Sequence, residues 1–182
     1  VLSASALALA AAPAAAAPAQ PPALAQAEIS DAELAQFAQS MQSIQAVMAQ
    51  VEGGAPTEAQ QAEMAAAVET AGLDIARFNA ISQAVSTDEV TRARIEVVTA
   101  PDSPAGSLGA EITDTEVNQY ARAEIGARAA AAAGAADQAV RMAQAVTDTG
   151  MELERFNAIS TATGGDPRLS ARIAVERARV GG

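Results

Sequence analysis

The hexapeptide Arg77-Phe78-Asn79-Ala80-Ile81-Ser82 recurs letter for letter as Arg155-Phe156-Asn157-Ala158-Ile159-Ser160, so the chain reads as two copies of one unit built around it. Whatever one copy folds into, the other folds into as well, and each has a twin to pack against. A second matched pair lies upstream, Ile29-Ser30-Asp31-Ala32-Glu33-Leu34 against Ile112-Thr113-Asp114-Thr115-Glu116-Val117, displaced by 83 residues where the hexapeptides are displaced by 78. The length change therefore falls in the connection around Glu52-Gly53-Gly54-Ala55-Pro56-Thr57, where insertions cost least.

Hydrophobic residues make up 50% of the chain but aromatics only 2%. The apolar content is mostly Ala, the best helix former, accompanied by Gln, Glu, Arg and Met, and no run of alternating β-branched residues competes. The expected fold class is all-α: two tandem four-segment helical units packed as a bundle. Because Ala buries little area, each unit gains from packing on its twin.

Helix boundaries are written in local chemistry. Ser30 with Glu33, and Thr113 with Glu116, have the spacing of a capping box, and Ile29/Leu34 that of a hydrophobic staple. Gly72 and Gly150 stand where the second segment of each copy should end, and Gly134 marks the shorter turn of the second copy. Asp74 is an N-cap for the segment holding the first hexapeptide. Ser86-Thr87-Asp88-Glu89 reads as a capping box for the last segment, through Arg92, Arg94, Ile95 and Val98, matched by Asp166 as N-cap with Pro167 in the first helical position.

Leu34, Phe37, Met41, Ile44, Met48 and Val51 recur at spacings of three and four and form one predicted core stripe. Carried into the second copy, the stripe becomes Val117, Tyr120, Glu124, Ala127, Ala131 and Gly134. That helix either packs more closely through small side chains or is the weaker of the two.

Residues 1–12 are a small-apolar run with three leucines, followed by a Pro/Ala tract with Ala-x-Ala sites ending at Ala19 and Ala25. This is the pattern of a signal-peptide core and cleavage region, so residues 1–25 are assigned to a leader and Ala/Pro segment, and the protein is expected to be periplasmic or secreted. The prolines interrupt the run well before a membrane-spanning length, so an integral membrane protein is not expected. The first repeat spans 28–99, a Pro/Gly/Ser-rich linker 100–110, and the second repeat 111–180. The net charge of −11 argues against nucleic acid as a partner. It is shared unequally: eleven acids and three Arg in 28–99, ten acids and eight Arg in 111–180. The two repeats are expected to pack on each other.

The sequence of signals, Ile-Ser/Thr-Asp-x-Glu, then Gly-hydrophobic-x-x-x-Arg-Phe-Asn-x-Ile, then Asp-Pro-x-Leu, resembles the bacterial family catalogued as domain of unknown function 4168, over both copies. The resemblance implies an exported helical protein and assigns no activity. The first copy departs from Asp-Pro-x-Leu, with Glu89 and Thr91 where the second has Pro167 and Leu169.

His, Cys and Lys are absent, which removes the commonest general base, the thiolate, the Schiff-base amine and the preferred zinc ligands. No twelve-residue window fits a calcium loop. No catalytic residue, cofactor or metal ligand is therefore assigned, and the chain is read as non-enzymatic. The Asp31/Glu33 and Asp114/Glu116 pairs read as helix-start acids. The candidate structural or partner-contact residues are Arg77, Phe78, Asn79, Ile81, Arg155, Phe156, Asn157 and Ile159. Asn79 and Asn157 sit between apolar neighbours and are expected to make a structural hydrogen bond, or else to touch a ligand or partner. Arg77 and Arg155 are expected to pair with acids of neighbouring helices. The functional expectation is a protein-interaction or structural module of the cell envelope whose partners are envelope proteins, with a holdase-type chaperone and a carboxylate-dependent cell-wall hydrolase as alternatives.

Overall fold

The structure is a computed structural model that describes residues 28–51, 55–134 and 137–181. The expected leader, and residues 52–54 of the first interhelical turn, lie outside the described residues. Among the described residues every regular element is a helix: α1 (Asp31–Met48), α2 (Glu58–Thr70), α3 (Ile75–Thr87), α4 (Glu89–Thr99), α5 (Leu108–Glu111), α6 (Asp114–Ala132), α7 (Gln138–Thr147), α8 (Leu153–Thr163) and α9 (Pro167–Gly181). The chain is all-α. Helices α1–α4 and α6–α9 supply four segments to each half. The segment assigned to the linker also carries a helical turn, because Ser107 caps α5 by accepting from Ala110 N–H. Among the described residues no helix is long and apolar enough to cross a membrane.

The caps act as their chemistry dictates. Glu33 N–H donates to Ser30 Oγ while Ser30 N–H donates to Glu33 Oε2, and Thr113/Glu116 repeats the exchange. Thr57 and Gln60 form a third capping box at the start of α2. Gly72 closes α2 at φ +93°: its N–H donates to Glu69 O and the Leu73 N–H to Val68 O. That is a Schellman motif, and Val68 and Leu73 meet in the core as its hydrophobic contact. Gly134 and Gly150 likewise have positive φ.

One boundary differs from expectation. Ser86 and Thr87 belong to the end of α3, their hydroxyls donating back to Ser82 O and Gln83 O. Asp88 alone ends α3 and caps α4, accepting from the Val90 and Thr91 N–H groups and from the Thr91 hydroxyl. The aspartate is a better N-cap because its charge also meets the helix dipole. These donors hold the Asp88 carboxyl below its ordinary range, the Thr91 hydroxyl most of all.

Each half has its own core. Leu34, Phe37, Val68, Leu73 and Ile81 form the first, Ile112, Val117, Tyr120, Val146, Met151, Ile159, Leu169 and Ile173 most of the second. The predicted α1 stripe holds as far as Ile44 and then turns: Val47 is buried and Met48 exposed. Five turns at 3.6 residues drift away from a strict three-four alternation. Along α6 the small residues pack closely. Ala121, Ala123 and Ala127 are buried, and a Cβ added at Gly126 would sit 3.1 Å from that of Ala145 on α7.

The halves meet through their last helices. α4 runs beside α9, α1 covers α4, and α6 covers α9. Ala93 on α4 and Ala171 on α9, equivalent positions in the two copies, are both buried and allow close approach.

The linker is fastened by the N-terminal part of α9. Asp166 caps α9 through Leu169 N–H (2.9 Å) and accepts from the Ser103 hydroxyl at the same oxygen, Oδ1 (2.9 Å). Its other oxygen, Oδ2, accepts no hydrogen bond among the described residues and is buried against Gly109. The first copy needs no such arrangement, since Thr91 satisfies Asp88 where Leu169 stands in the second.

Candidate functional site

The repeated hexapeptides are placed alike. Ile81 and Ile159 are 0% exposed at the centre of the two cores. Phe78 packs against Phe37 with the rings tilted by 34°, and Phe156 stacks on Tyr120 at 26°, with ring centroids 4.9 Å apart in both. Arg77 Nε donates to Glu33 Oε1 (2.7 Å) and its Nη2 to Oε2 (3.1 Å) and to Glu28 O. Arg155 holds Glu116 from the equivalent position, with Nε (2.9 Å) and Nη2 (2.8 Å) both on Oε1. The hexapeptide arginine thus pins the glutamate that completes the capping box of the first helix, tying α3 to α1 and α8 to α6.

The pair of clamps has an acid signature. Glu33 is lowered from its ordinary 4.5 to about 2, mainly by the Arg77 hydrogen bond and then by Ser30 N–H. Glu116 is also lowered, first by Thr113 N–H and then by Arg155, both working against its partial burial. A carboxyl whose folded pKa is depressed contributes stability above its unfolded value and loses it as pH falls through the folded one. The Glu33 contribution should therefore fade between pH 4.5 and about 2. Melting temperature measured across that range should fall less steeply in Glu33→Gln than in the parent; parallel slopes would remove the clamp from the account.

The structure corrects one of the two expectations placed on Asn79 and Asn157, the structural hydrogen bond. Both are exposed, and neither side chain makes a hydrogen bond among the described residues. Phe78 and Ile81 flank Asn79 in sequence, but one and two residues along a helix are different faces. Asn79→Ala and Asn157→Ala should accordingly leave stability unchanged or raise it by about 0.5 kcal/mol, through helix propensity. Chemical denaturation checks this, and a loss above about 1 kcal/mol would contradict it.

A broad concavity lies elsewhere, at the junction of the halves. It is a cleft of about 620 Å³ lined by α4, α9, the linker and the first turns of α1 and α6. Arg94 reaches from α4 to Asp31 Oδ1 (2.6 Å) and Ile29 O (2.9 Å). Arg172 repeats this from α9, to Asp114 Oδ1 (2.7 Å) and Ile112 O (3.2 Å), and adds Gly109 O (3.3 Å). Arg168 holds Asp102 (3.0 Å) and Ala100 O; Arg179 pairs with Glu176, which also accepts from Asn118. In three of these four pairs the arginine lies deeper than its acid: Arg94, Arg168 and Arg172 side chains are 23%, 35% and 22% exposed against 70%, 90% and 99% for Asp31, Asp102 and Asp114. Val97, Val117 and Val175 supply an apolar floor.

Sequence reasoning missed this cleft, although Ala93-Arg94-Ile95 recurs as Ala171-Arg172-Ile173 at the hexapeptide displacement. It does not bring the hexapeptides in. The acid pairs read as helix-start residues have a second role: Asp31 and Asp114 meet the cleft arginines while Glu33 and Glu116 meet the hexapeptide arginines.

A smaller, apolar groove of about 280 Å³ opens on the second half between α6, α7 and α8, lined by Ala127, Met142, Val146, Leu153 and Phe156, with Asn157 at its edge. The matching position to Ala127 is Ile44, which packs on the first core. Among the described residues no group of three or more acids is placed to hold a metal ion. No protein-family model, curated protein or solved structure matches the chain.

Proposed function

We propose that this chain is an exported, non-enzymatic protein whose two helical repeats form one interaction module of the cell envelope, with the junction cleft as its contact surface. The observation that carries the reading is the convergence of Arg94, Arg168, Arg172 and Arg179 on an apolar floor between the repeats. Guanidinium groups over a small apolar patch suit protein recognition, where arginine is enriched. The cleft carboxylates, Asp31, Asp102, Asp114 and Glu176, are each committed to an arginine. That disfavours the pair of carboxyls at separate protonation states that glycoside hydrolysis needs. The export assignment is supported by the apolar run of residues 1–12. Membership of the domain of unknown function 4168 family is part of the same proposal, supported by the motifs quoted above.

Ala110, exposed on the rim of the cleft, gives the test. Immobilised protein should retrieve a discrete partner from an envelope extract, and Ala110→Trp should abolish the retrieval while leaving the melting temperature unchanged. Retrieval by the variant at the parental level would contradict the reading.

A holdase activity is the second reading, favoured by the groove that Ala127 leaves open beside Met142, Leu153 and Phe156, since flexible thioether and aromatic linings accept varied apolar segments. Suppression of aggregation of a denatured client that is lost in Ala127→Ile, which refills the groove as Ile44 does in the first repeat, would favour it over the first.

A further inference from the structure

The donors left over in the cleft define what it can hold. Arg168 spends only Nη1, on Ala100 O and Asp102, and Arg179 only Nη1, on Glu176. The Nε and Nη2 groups of both make no hydrogen bond among the described residues. These two groups form one edge of the guanidinium fork, the edge that takes a carboxylate with two parallel N–H···O bonds. Arg168 and Arg179 are eleven residues apart on α9, close to three full turns, so they share a face about 16 Å apart along the helix. Arg172 stands between them, and Val97 and Val175 lie in the floor. The rim carries Asp31, Asp102 and Asp114, which disfavours densely charged polyanions while leaving room for well-separated single charges.

Resting on the interaction reading, we propose that the junction cleft binds an extended acidic peptide segment of its partner, with two carboxylates about four residues apart seated on Arg168 and Arg179 and an aliphatic side chain between them on the valine floor. An extended chain advances about 3.3 Å per residue and returns to the same face every second one. Four residues then span about 13 Å, and glutamate side chains cover the remainder.

The test uses the full chain and the labelled pentapeptide acetyl-Glu-Ala-Val-Ala-Glu-amide, followed by fluorescence anisotropy. Saturable binding is expected, at least about tenfold tighter than that of acetyl-Gln-Ala-Val-Ala-Gln-amide and weakened by added salt. Arg179→Gln, whose one partner among the described residues is Glu176, should lose about tenfold in affinity with its melting temperature unchanged. The neutral peptide leaves the protein untouched, so the comparison holds whatever the variant does to stability. Equal affinity for the two peptides, or no binding of the acidic one, overturns the proposal. If the acidic peptide fails while Ala110→Trp still abolishes retrieval of the partner, the acidic ligand falls and the cleft as contact surface stands. If both fail, both fall.

Discussion

Gly109→Ala should destabilise the protein by about 2–4 kcal/mol, through overpacking at a buried carboxylate and the loss of a helix cap. A Cβ at this position would lie 1.9 Å from Asp166 Oδ2 and 2.8 Å from its Cγ, and Asp166 cannot retreat without giving up Leu169 N–H and the Ser103 hydroxyl. One methyl group therefore uncouples the linker from α9. The double variant Gly109→Ala/Asp166→Ser, in which a shorter side chain can still cap α9, should recover most of the loss in a double-mutant cycle by urea denaturation. Additive losses would mean that the glycine matters for some reason other than this contact.

Ile81→Ala and Ile159→Ala should each cost about 2–5 kcal/mol, the range for truncating a fully buried aliphatic side chain. Both are 0% exposed, each in a different core, and neither core has aromatic bulk to spare. The effect should exceed that of any other hexapeptide position. It is measured by the same denaturation experiment, and losses below about 1 kcal/mol would show that the cores collapse around the cavity.

The sequence was most legible where one residue acts on its neighbours. The capping boxes at Ser30 and Thr113, the aspartate caps at Asp74 and Asp166, and the terminating glycines at 72 and 150 are local chemistry, and each stands where that chemistry puts it. Rotation about a helix axis and distance along the chain are less legible. A three-four count places Met48 in the core, and a real helix outruns that count by the fifth turn, leaving Met48 exposed. Asn79 lies between apolar neighbours in sequence, and the helix sets it on another face. The cleft depends on Arg94 meeting Asp31 and Arg172 meeting Asp114, pairs 63 and 58 residues apart, which no local pattern encodes. The Asp166–Ser103 contact is of the same kind: it arises because the second repeat has Leu169 where the first has Thr91, and the linker supplies the missing hydroxyl.

The duplicated hexapeptide thus reads as the tie between helices, and the recognition surface is proposed to lie at the junction of the two halves. The most direct test is photo-crosslinking in cells, with p-benzoylphenylalanine placed at Ala110 in one strain and at Asn157 in another. A discrete adduct is expected from Ala110 and none from Asn157. An adduct from Asn157 alone would move the function to the hexapeptide face and its apolar groove, and would contradict the assignment to the cleft.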